Sequence, residues 1–335
     1  MKKESINTRS EDRANIPIIS LRDLEFRLGE DRITLRALAK KWRNEYDPFQ
    51  QVKDPKPFQR VVKVGKSRNI DNPSKELKRV QKKILNRLLR PVKLPYFIFG
   101  AVSKRSVKEH AAEHLGQKCV VKMDVKGYYP SVTSKHVYSV WYRILGFSPA
   151  ISKLLTELTT YEWHLPQGAP TSPALANLFL ASIYGPVLEA CSEMSVVPTS
   201  WVDDLIFSGE RARSVMELVR QTLAANGFKM SAKKSIILTG RDPKVITGVR
   251  LGAGRVRAPK DKLRDIRAAI HKLQIGCINR CDRKQYLNKL EGRLNHIEQI
   301  CPQDALLLKR QLQRVLSSPG LSSLRQQAQT KTQTR

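Results

Sequence analysis

Acidic residues are scarce in this chain: 30 Asp and Glu stand against 61 Lys and Arg in 335 residues, a formal net charge of +31. Solubility does not require so large an imbalance, and the resulting field attracts polyanions, of which nucleic-acid backbone is the commonest. Charge alone would equally suit an RNA-binding scaffold or an anionic membrane surface. The membrane alternative is weakened by a second absence, since no charge-bearing amphipathic helix or lipidation signal stands out. Long apolar runs are missing too. The longest stretch without charge, Leu165 to Leu188, carries four prolines with Gln167 and Asn177, which excludes a continuous membrane helix. Lys2-Lys3-Glu4 leads into polar residues, without the apolar segment of a signal peptide, so a cytoplasmic location is expected. Cysteine is sparse and odd in number: Cys119, Cys191, Cys277, Cys281 and Cys301. Their scatter through apolar and helical stretches predicts buried reduced thiols in place of a disulfide framework. Cys277 and Cys281 with His271 nearby would make half a zinc site, but no second ligand pair has metal spacing.

What is present is a folded chain, 41% hydrophobic, large enough for one big core or two modest ones. Its focal stretch is Ser200 to Gly209, where Trp201-Val202 and Leu205-Ile206-Phe207 flank two consecutive acids. The pattern predicts a β-hairpin whose tight turn carries Asp203 and Asp204. Two carboxylates in an apolar element are costly unless a cation or strong donors compensate, and a divalent metal does so naturally. About eighty residues upstream, Val120 to Asp124 reads as a second apolar strand that ends in an acid and runs into Tyr128-Tyr129-Pro130. Between the two lies Leu165-Pro166-Gln167-Gly168, opening a helix of small residues. An Asp-Asp pair alone is an ordinary turn; its companions change the reading.

This ordered set resembles the palm motifs of reverse transcriptases: an aspartate strand, a Leu-Pro-Gln-Gly loop, then the x-x-Asp-Asp hairpin. The resemblance covers about Arg60 to Leu316 and implies an α+β right-hand polymerase fold, with fingers, a palm of antiparallel sheet plus helices, and a helical thumb. The expected segments are a helical N-terminal extension (1–57), fingers (58–118), palm (119–252, with a helical insertion at about 134–164), thumb (253–316) and a flexible basic tail (317–335).

Periodicity fills in the elements. Ile19 to about Trp42 is helical, with a Gly29-Glu30-Asp31 interruption and Thr34 as a candidate N-cap. Phe58–Val64 and a strand around Arg68–Ile70 form a basic hairpin. Asn72-Pro73-Ser74 caps a long helix whose basic face (Lys75, Lys78, Arg79, Lys82, Lys83, Arg87) is either solvated or a template-channel wall. Helices are expected over 134–145, 149–160, 174–192 and 212–227, a strand over 245–251, and three basic helices between Pro259 and Leu316. His110 and His114 share a helical face, but without a catalytic acid between them a structural role is favoured over zinc.

The chemistry that the resemblance implies is template-directed nucleotide addition. Two Mg²⁺ ions about 4 Å apart, or Mn²⁺ in their place, would stabilise the attacking and leaving oxygens. Asp124 and Asp203 would be direct ligands, Asp204 a ligand or support, and the carbonyl of Val125 would complete the set. Lys66 and Arg68 would grip the triphosphate of the dNTP, Tyr129 would crowd a ribose 2′-hydroxyl, and Gln167 with Gly168 would let the loop approach the new base pair. Lys234, in a segment similar to the family's Gly-Phe-x-x-Asn-x-x-Lys motif with Ser231 at the Asn position, would meet the departing pyrophosphate. Tyr128 is assigned to packing.

Within that superfamily, His110-Ala111-Ala112-Glu113-His114 is similar to the Asn-Ala-x-x-His segment of retron enzymes, with His for Asn, and Thr247-Gly248 matches their Val-Thr-Gly segment. These residues, His110, His114, Thr247 and Gly248, are the expected RNA contacts. The resemblance implies as partners a structured noncoding RNA (msr-msd), its branched msDNA product begun from a guanosine 2′-hydroxyl, and an effector or toxin protein in anti-phage defence. Trp201-Val202 departs from the commoner Tyr-Ala before the twin aspartates. Another stand-alone bacterial reverse transcriptase, of group II intron-like or abortive-infection type, and a non-catalytic RNA-binding scaffold are the alternatives.

Overall fold

The structure, a computed structural model, describes residues 17–41, 44–52, 67–232, 235–279 and 281–317. It is an α+β chain whose described residues gather into two compact units, 17–52 with 67–106 and 117–242, and 107–116 with 243–317. Each unit has its own apolar core.

The first unit is built on antiparallel pairs. β1 (Tyr46–Val52) pairs with β2 (Ser67–Pro73), Gln51 opposite Arg68. A strand at 46–52 was not expected in a helical N-terminal extension, and it takes the partner role assigned to Phe58–Val64, which lies outside the described residues. Four strands make the main sheet: β3 (Cys119–Asp124), β4 (Val197–Trp201), β5 (Asp204–Ser208) and β6 (Ile236–Thr239), in the order β4-β5-β3-β6, all antiparallel. β3 is flanked on both edges and covered on both faces, which explains its almost unbroken apolar run; Val120, Val121 and Met123 are at most 1% exposed.

The helix expected over 174–192 is two, Ser172–Ile183 and Gly185–Glu193, bent by 61° where Gly185-Pro186 interrupts the ladder. Leu175, Ala176 and Leu178 to Leu180 of the first are buried, as a helix apolar all round must be. Among the described residues no single helix is long and apolar enough to cross a membrane.

The N-terminal helices Leu21–Leu28 and Arg32–Lys40 are separated by Gly29 in the left-handed conformation. The N-cap of the second is Asp31, whose carboxylate accepts the Thr34 amide at 2.8 Å, so Thr34 is the capped residue and not the cap. The basic face of the helix Lys75–Ile84, which continues as a π-helical turn over Leu85–Leu89, is engaged in part. Arg79 and Lys83 hold the buried carboxylate of Glu30, Lys83 also donates to the Gly29 carbonyl at 2.8 Å, and Arg87 donates to the Arg27 carbonyl at 3.0 Å. Cations thus satisfy the open carbonyl end of the first helix, a use neither expectation for that face included. Burial by itself would raise the Glu30 pKa, but the Arg79 and Lys83 bonds outweigh it and hold the carboxyl below its ordinary range.

The second unit packs three helices, Lys260–Gln274, Arg283–Ile300 and Pro302–Leu316, around Ile266, Ile270, Leu290, Leu294, Leu308 and Leu312. With them go the helix Val107–Ala112 and the antiparallel strands β7 (Val245–Ile246), β8 (Val249–Leu251) and β9 (Val256–Arg257). The segment expected as one strand, 245–251, is therefore a hairpin, and Thr247-Gly248 is its two-residue loop. Both loop residues have positive φ (45° and 76°), the type I′ geometry that matches strand twist and that Gly adopts freely.

Arg257 and Asp304 clamp β9 to the start of the last helix: the guanidinium donates to the carboxylate at 2.6, 3.0 and 3.1 Å, and the Ala258 amide adds a bond at 3.0 Å. Burial opposes the Asp304 charge, yet the Arg257 and Ala258 donors prevail and lower its pKa. A carboxyl depressed on folding stabilises at any pH above its unfolded value, and that stability is lost as pH falls through the folded one. Asp304→Asn is expected to cost about 3 kcal/mol at pH 7 in denaturant unfolding. The gap from wild type should narrow progressively below about pH 4, where the unfolded carboxyl begins to take up protons; equal stability of the two at pH 7 would contradict the clamp.

Candidate active site

Register in the main sheet brings the acids together. Asp124, the last residue of β3, stands opposite Asp204, the first of β5, and directly opposed residues project their side chains to the same face. Trp201 and Asp204 also pair, so the hairpin loop is Val202-Asp203 and not the Asp203-Asp204 turn read from the sequence. Val202 sits at φ 59°, a conformation that costs a β-branched residue roughly 1–3 kcal/mol and persists only where surroundings enforce it. The enforcing contacts are visible. The Val125 amide donates to the Asp203 carbonyl at 3.1 Å, tying the loop to the end of β3. Asp124 is buried and Asp203 and Asp204 are half-buried.

Sequence reasoning missed what holds the hairpin from the other side. Residues Phe97 to Gly100 run alongside β4: Ser200 donates to the Phe97 carbonyl at 2.7 Å, and Phe99 donates to the Ser200 carbonyl at 2.8 Å. Arg105 braces this segment by donating to the carbonyls of Pro95, at 2.7 Å, and Ile98. Asn177, buried in the apolar helix Ser172–Ile183, donates to the Gly100 carbonyl at 2.8 Å. Gly100 itself lies so near the loop that a Cβ would stand 2.6 Å from the Val202 nitrogen. The one available signal was Asn177, a lone amide in a helix otherwise fit for the core.

On the opposite edge, Ser231 donates to the Asp124 carbonyl and Lys126 to the Lys229 carbonyl, both at 2.8 Å. The segment resembling Gly-Phe-x-x-Asn therefore flanks the aspartate strand directly; Lys234 lies outside the described residues. Tyr128 is fully buried and donates to the Ala176 carbonyl at 3.1 Å, a packing role as expected. The Tyr129 phenol is half-buried and pushed up to about 12, first by burial and then by the Asp203 charge, which places it in the field of the acids.

The Leu-Pro-Gln-Gly loop is bound to β2. The Gln167 amide donates to the Asp71 carboxylate at 3.0 Å, and the Asp71 amide donates to the Gln167 carbonyl at 2.7 Å. Gly168, at φ 133°, leaves room for the Asp71 carbonyl, 2.9 Å from where a Cβ would be. Its small size thus serves a close protein-backbone contact that the sequence reading did not include. Arg68 is exposed on the same strand, three residues before Asp71; Lys66 lies outside the described residues.

The remaining candidates belong to the second unit. His110 and His114 are both buried, their rings 6.0 Å apart and edge to face, and His110 Nδ1 lies 3.0 Å from the Thr247 hydroxyl. Burial, with His110 beside it, pushes His114 down to about 3, so its ring is neutral. Lys262 donates to the Gly248 carbonyl at 3.3 Å. His110 therefore braces the Thr247-Gly248 loop from within. Of the cysteines, Cys119, Cys191 and Cys301 are buried as expected, whereas Cys277 and Cys281 are exposed.

As donors, the acids at the sheet end offer hard oxygens, which Mg²⁺ or Mn²⁺ prefer. Among the described residues no three Asp, Glu, His or Cys side chains form a ready cage.

Residues 53–251 match the family model of the reverse transcriptase (RNA-dependent DNA polymerase). The chain is similar to the retron Ec86 reverse transcriptase of Escherichia coli, 29% identical over 62% of this chain and 66% of that protein. It is similar to the retron Se72 reverse transcriptase of Salmonella heidelberg (strain 579083-10), 27% identical over 76% and 68%, and to the retron Ec48 enzyme of Escherichia coli, 24% identical over 92% and 79%. It spans just under two thirds of the first of these. With a match covering more than half its length and retron enzymes among its relatives, the chain belongs to the reverse transcriptase family of RNA-dependent DNA polymerases, retron type.

Proposed function

We propose that this protein is the RNA-directed DNA polymerase of a bacterial retron, copying a structured noncoding RNA (msr-msd) into msDNA from a guanosine 2′-hydroxyl and serving anti-phage defence with an effector protein. The observation that carries the polymerase reading is the register of Asp124 against Asp204, with Asp203 in the intervening loop. The retron reading rests on relatives that carry that name.

In this reading β1 and β2 belong to the fingers, the four-stranded sheet is the palm, and the three helices after Pro259 form the thumb. Asp124, Asp203, Asp204 and the Val125 carbonyl hold two divalent ions. When bound, these supply Lewis-acid stabilisation of the attacking and leaving oxygens of an in-line displacement. Arg68, with Lys66 and Lys234, faces the triphosphate through charge-assisted bonds. Asp71 fixes the loop that presents Gln167 to the nascent pair. His110 and His114 shape the Thr247-Gly248 loop, the part of that group that meets RNA.

In this reading the ring of Tyr129 crowds a ribose 2′-hydroxyl. Tyr129→Ala is expected to lower the kcat/KM preference for dNTP over rNTP by at least about tenfold, the scale of one lost steric contact; an unchanged ratio refutes the assignment. Sequencing nucleic acid that copurifies with the protein tests the whole reading. A branched RNA–DNA species supports the retron, linear cDNA another bacterial reverse transcriptase, and RNA alone a scaffold.

A further inference from the structure

Just before the Gln167 loop the chain forms a very tight hairpin. Tyr161 and His164 exchange both backbone bonds, at 2.9 and 3.0 Å, so the loop consists of Glu162 and Trp163 alone. Both have positive φ, 44° and 64°, a geometry for which Asn and Gly are suited and Trp is not. The strain cannot relax, because the hairpin base is locked: Leu165 donates to the Val132 carbonyl at 3.0 Å, and Ser134 donates to the Trp163 carbonyl at 2.7 Å. The Trp163 indole is 62% exposed.

The surroundings share a chemistry. Ser134 opens the helix Ser134–Ser139, which continues as a π-helical turn over Val140–Ile144, and Lys135, Tyr138 and Tyr142 follow along the two at spacings of three and four. Lys135 and Tyr142 are exposed, and the rings of Tyr138 and Tyr142 lie 5.7 Å apart. Aromatic rings interleaved with cations on a surface serve single-stranded nucleic acid, whose bases stack while its phosphates are attracted.

We infer that Trp163 is a stacking platform for an unpaired base of the strand entering the Gln167 loop, with Lys135, Tyr138 and Tyr142 continuing the track. This rests on the polymerase reading and adds to it a contact outside the catalytic residues. Because stacking uses the base face, the contact does not distinguish ribose from deoxyribose.

The test is fluorescence anisotropy with labelled 12-nucleotide RNA and DNA of one sequence, without divalent metal or dNTP, so that binding is read apart from turnover. Trp163→Asn removes the ring while favouring the left-handed backbone; it should weaken both ligands by about 5- to 150-fold, the range of one lost stack, with thermal stability equal to or above wild type. Trp163→Phe should keep most of the affinity. Wild-type affinity in Trp163→Asn overturns the inference, as does a loss confined to RNA, which would mean a 2′-hydroxyl contact. Failure of the wild-type protein to extend a primer on RNA overturns the polymerase reading instead.

Discussion

Asp203→Asn, and equally Asp124→Asn, is expected to lower RNA-templated nucleotide addition by about 10³-fold or more, with melting temperature unchanged or slightly raised. The first effect follows from losing a ligand oxygen where charge develops; Lewis-acid stabilisation is worth several kcal/mol, and each 1.36 kcal/mol is roughly tenfold in rate. The second follows from electrostatics. Asp124 and Asp204 are opposed across the ladder with Asp203 in the adjoining loop, so in the absence of metal an amide at one position relieves repulsion among like charges. Loss of activity with retained stability separates this account from one in which the acids serve the fold. Full Mg²⁺-dependent primer extension by Asp203→Asn would contradict it.

A single added methyl far from any ligand role should do nearly as much. In Gly100→Ala the new carbon would stand 2.6 Å from the Val202 nitrogen and 3.0 Å from the Trp201 carbonyl carbon. Those are backbone atoms of the aspartate hairpin, so relief requires the hairpin itself to move. Overpacking of this kind costs about 1–3 kcal/mol, and misplacement of a catalytic group by about 1 Å costs on the order of 10²-fold in rate. Gly185→Ala is the control, since nothing lies within 4 Å of its Cβ position. Primer-extension kcat and thermal melting of the two variants decide the matter; comparable activity in both would show that the hairpin does not lean on Gly100.

How far the site was legible in sequence depended on whether a residue's neighbours were local. The apolar runs of β3 and β5 declare buried strands, because burial acts within a few residues, whereas the meeting of the acids at their ends was legible only through the resemblance to reverse transcriptase palm motifs. Three basic helices after Pro259 were legible locally, as the strands were. The hairpin loop was misplaced by one residue, since no propensity scale would put Val202 at positive φ; only contacts from Val125 and Gly100 make that conformation hold. Gly168 was recognised as a close-approach position, but its nearness to the Asp71 carbonyl was not foreseen, because Asp71 is nearly a hundred residues away. Gly100 and Arg105 carry no local pattern at all, and Asn177 offers only a lone amide in an otherwise apolar helix. Their importance exists only once Phe97–Gly100 lies beside Ser200. His110 and Thr247 were linked by family resemblance alone, and the reason for the link, a buried imidazole bracing a type I′ loop, is visible only in three dimensions.

The central claim is that Asp124, Asp203 and Asp204 together hold divalent ions. Mn²⁺ titration followed by electron paramagnetic resonance, on protein bound to an RNA–DNA primer-template and a non-hydrolysable dNTP, measures this directly. The expected result is two ions per wild-type chain and loss of tight binding in Asp124→Asn and Asp203→Asn. Two ions held with wild-type affinity by the Asp124→Asn, Asp203→Asn double variant would contradict it.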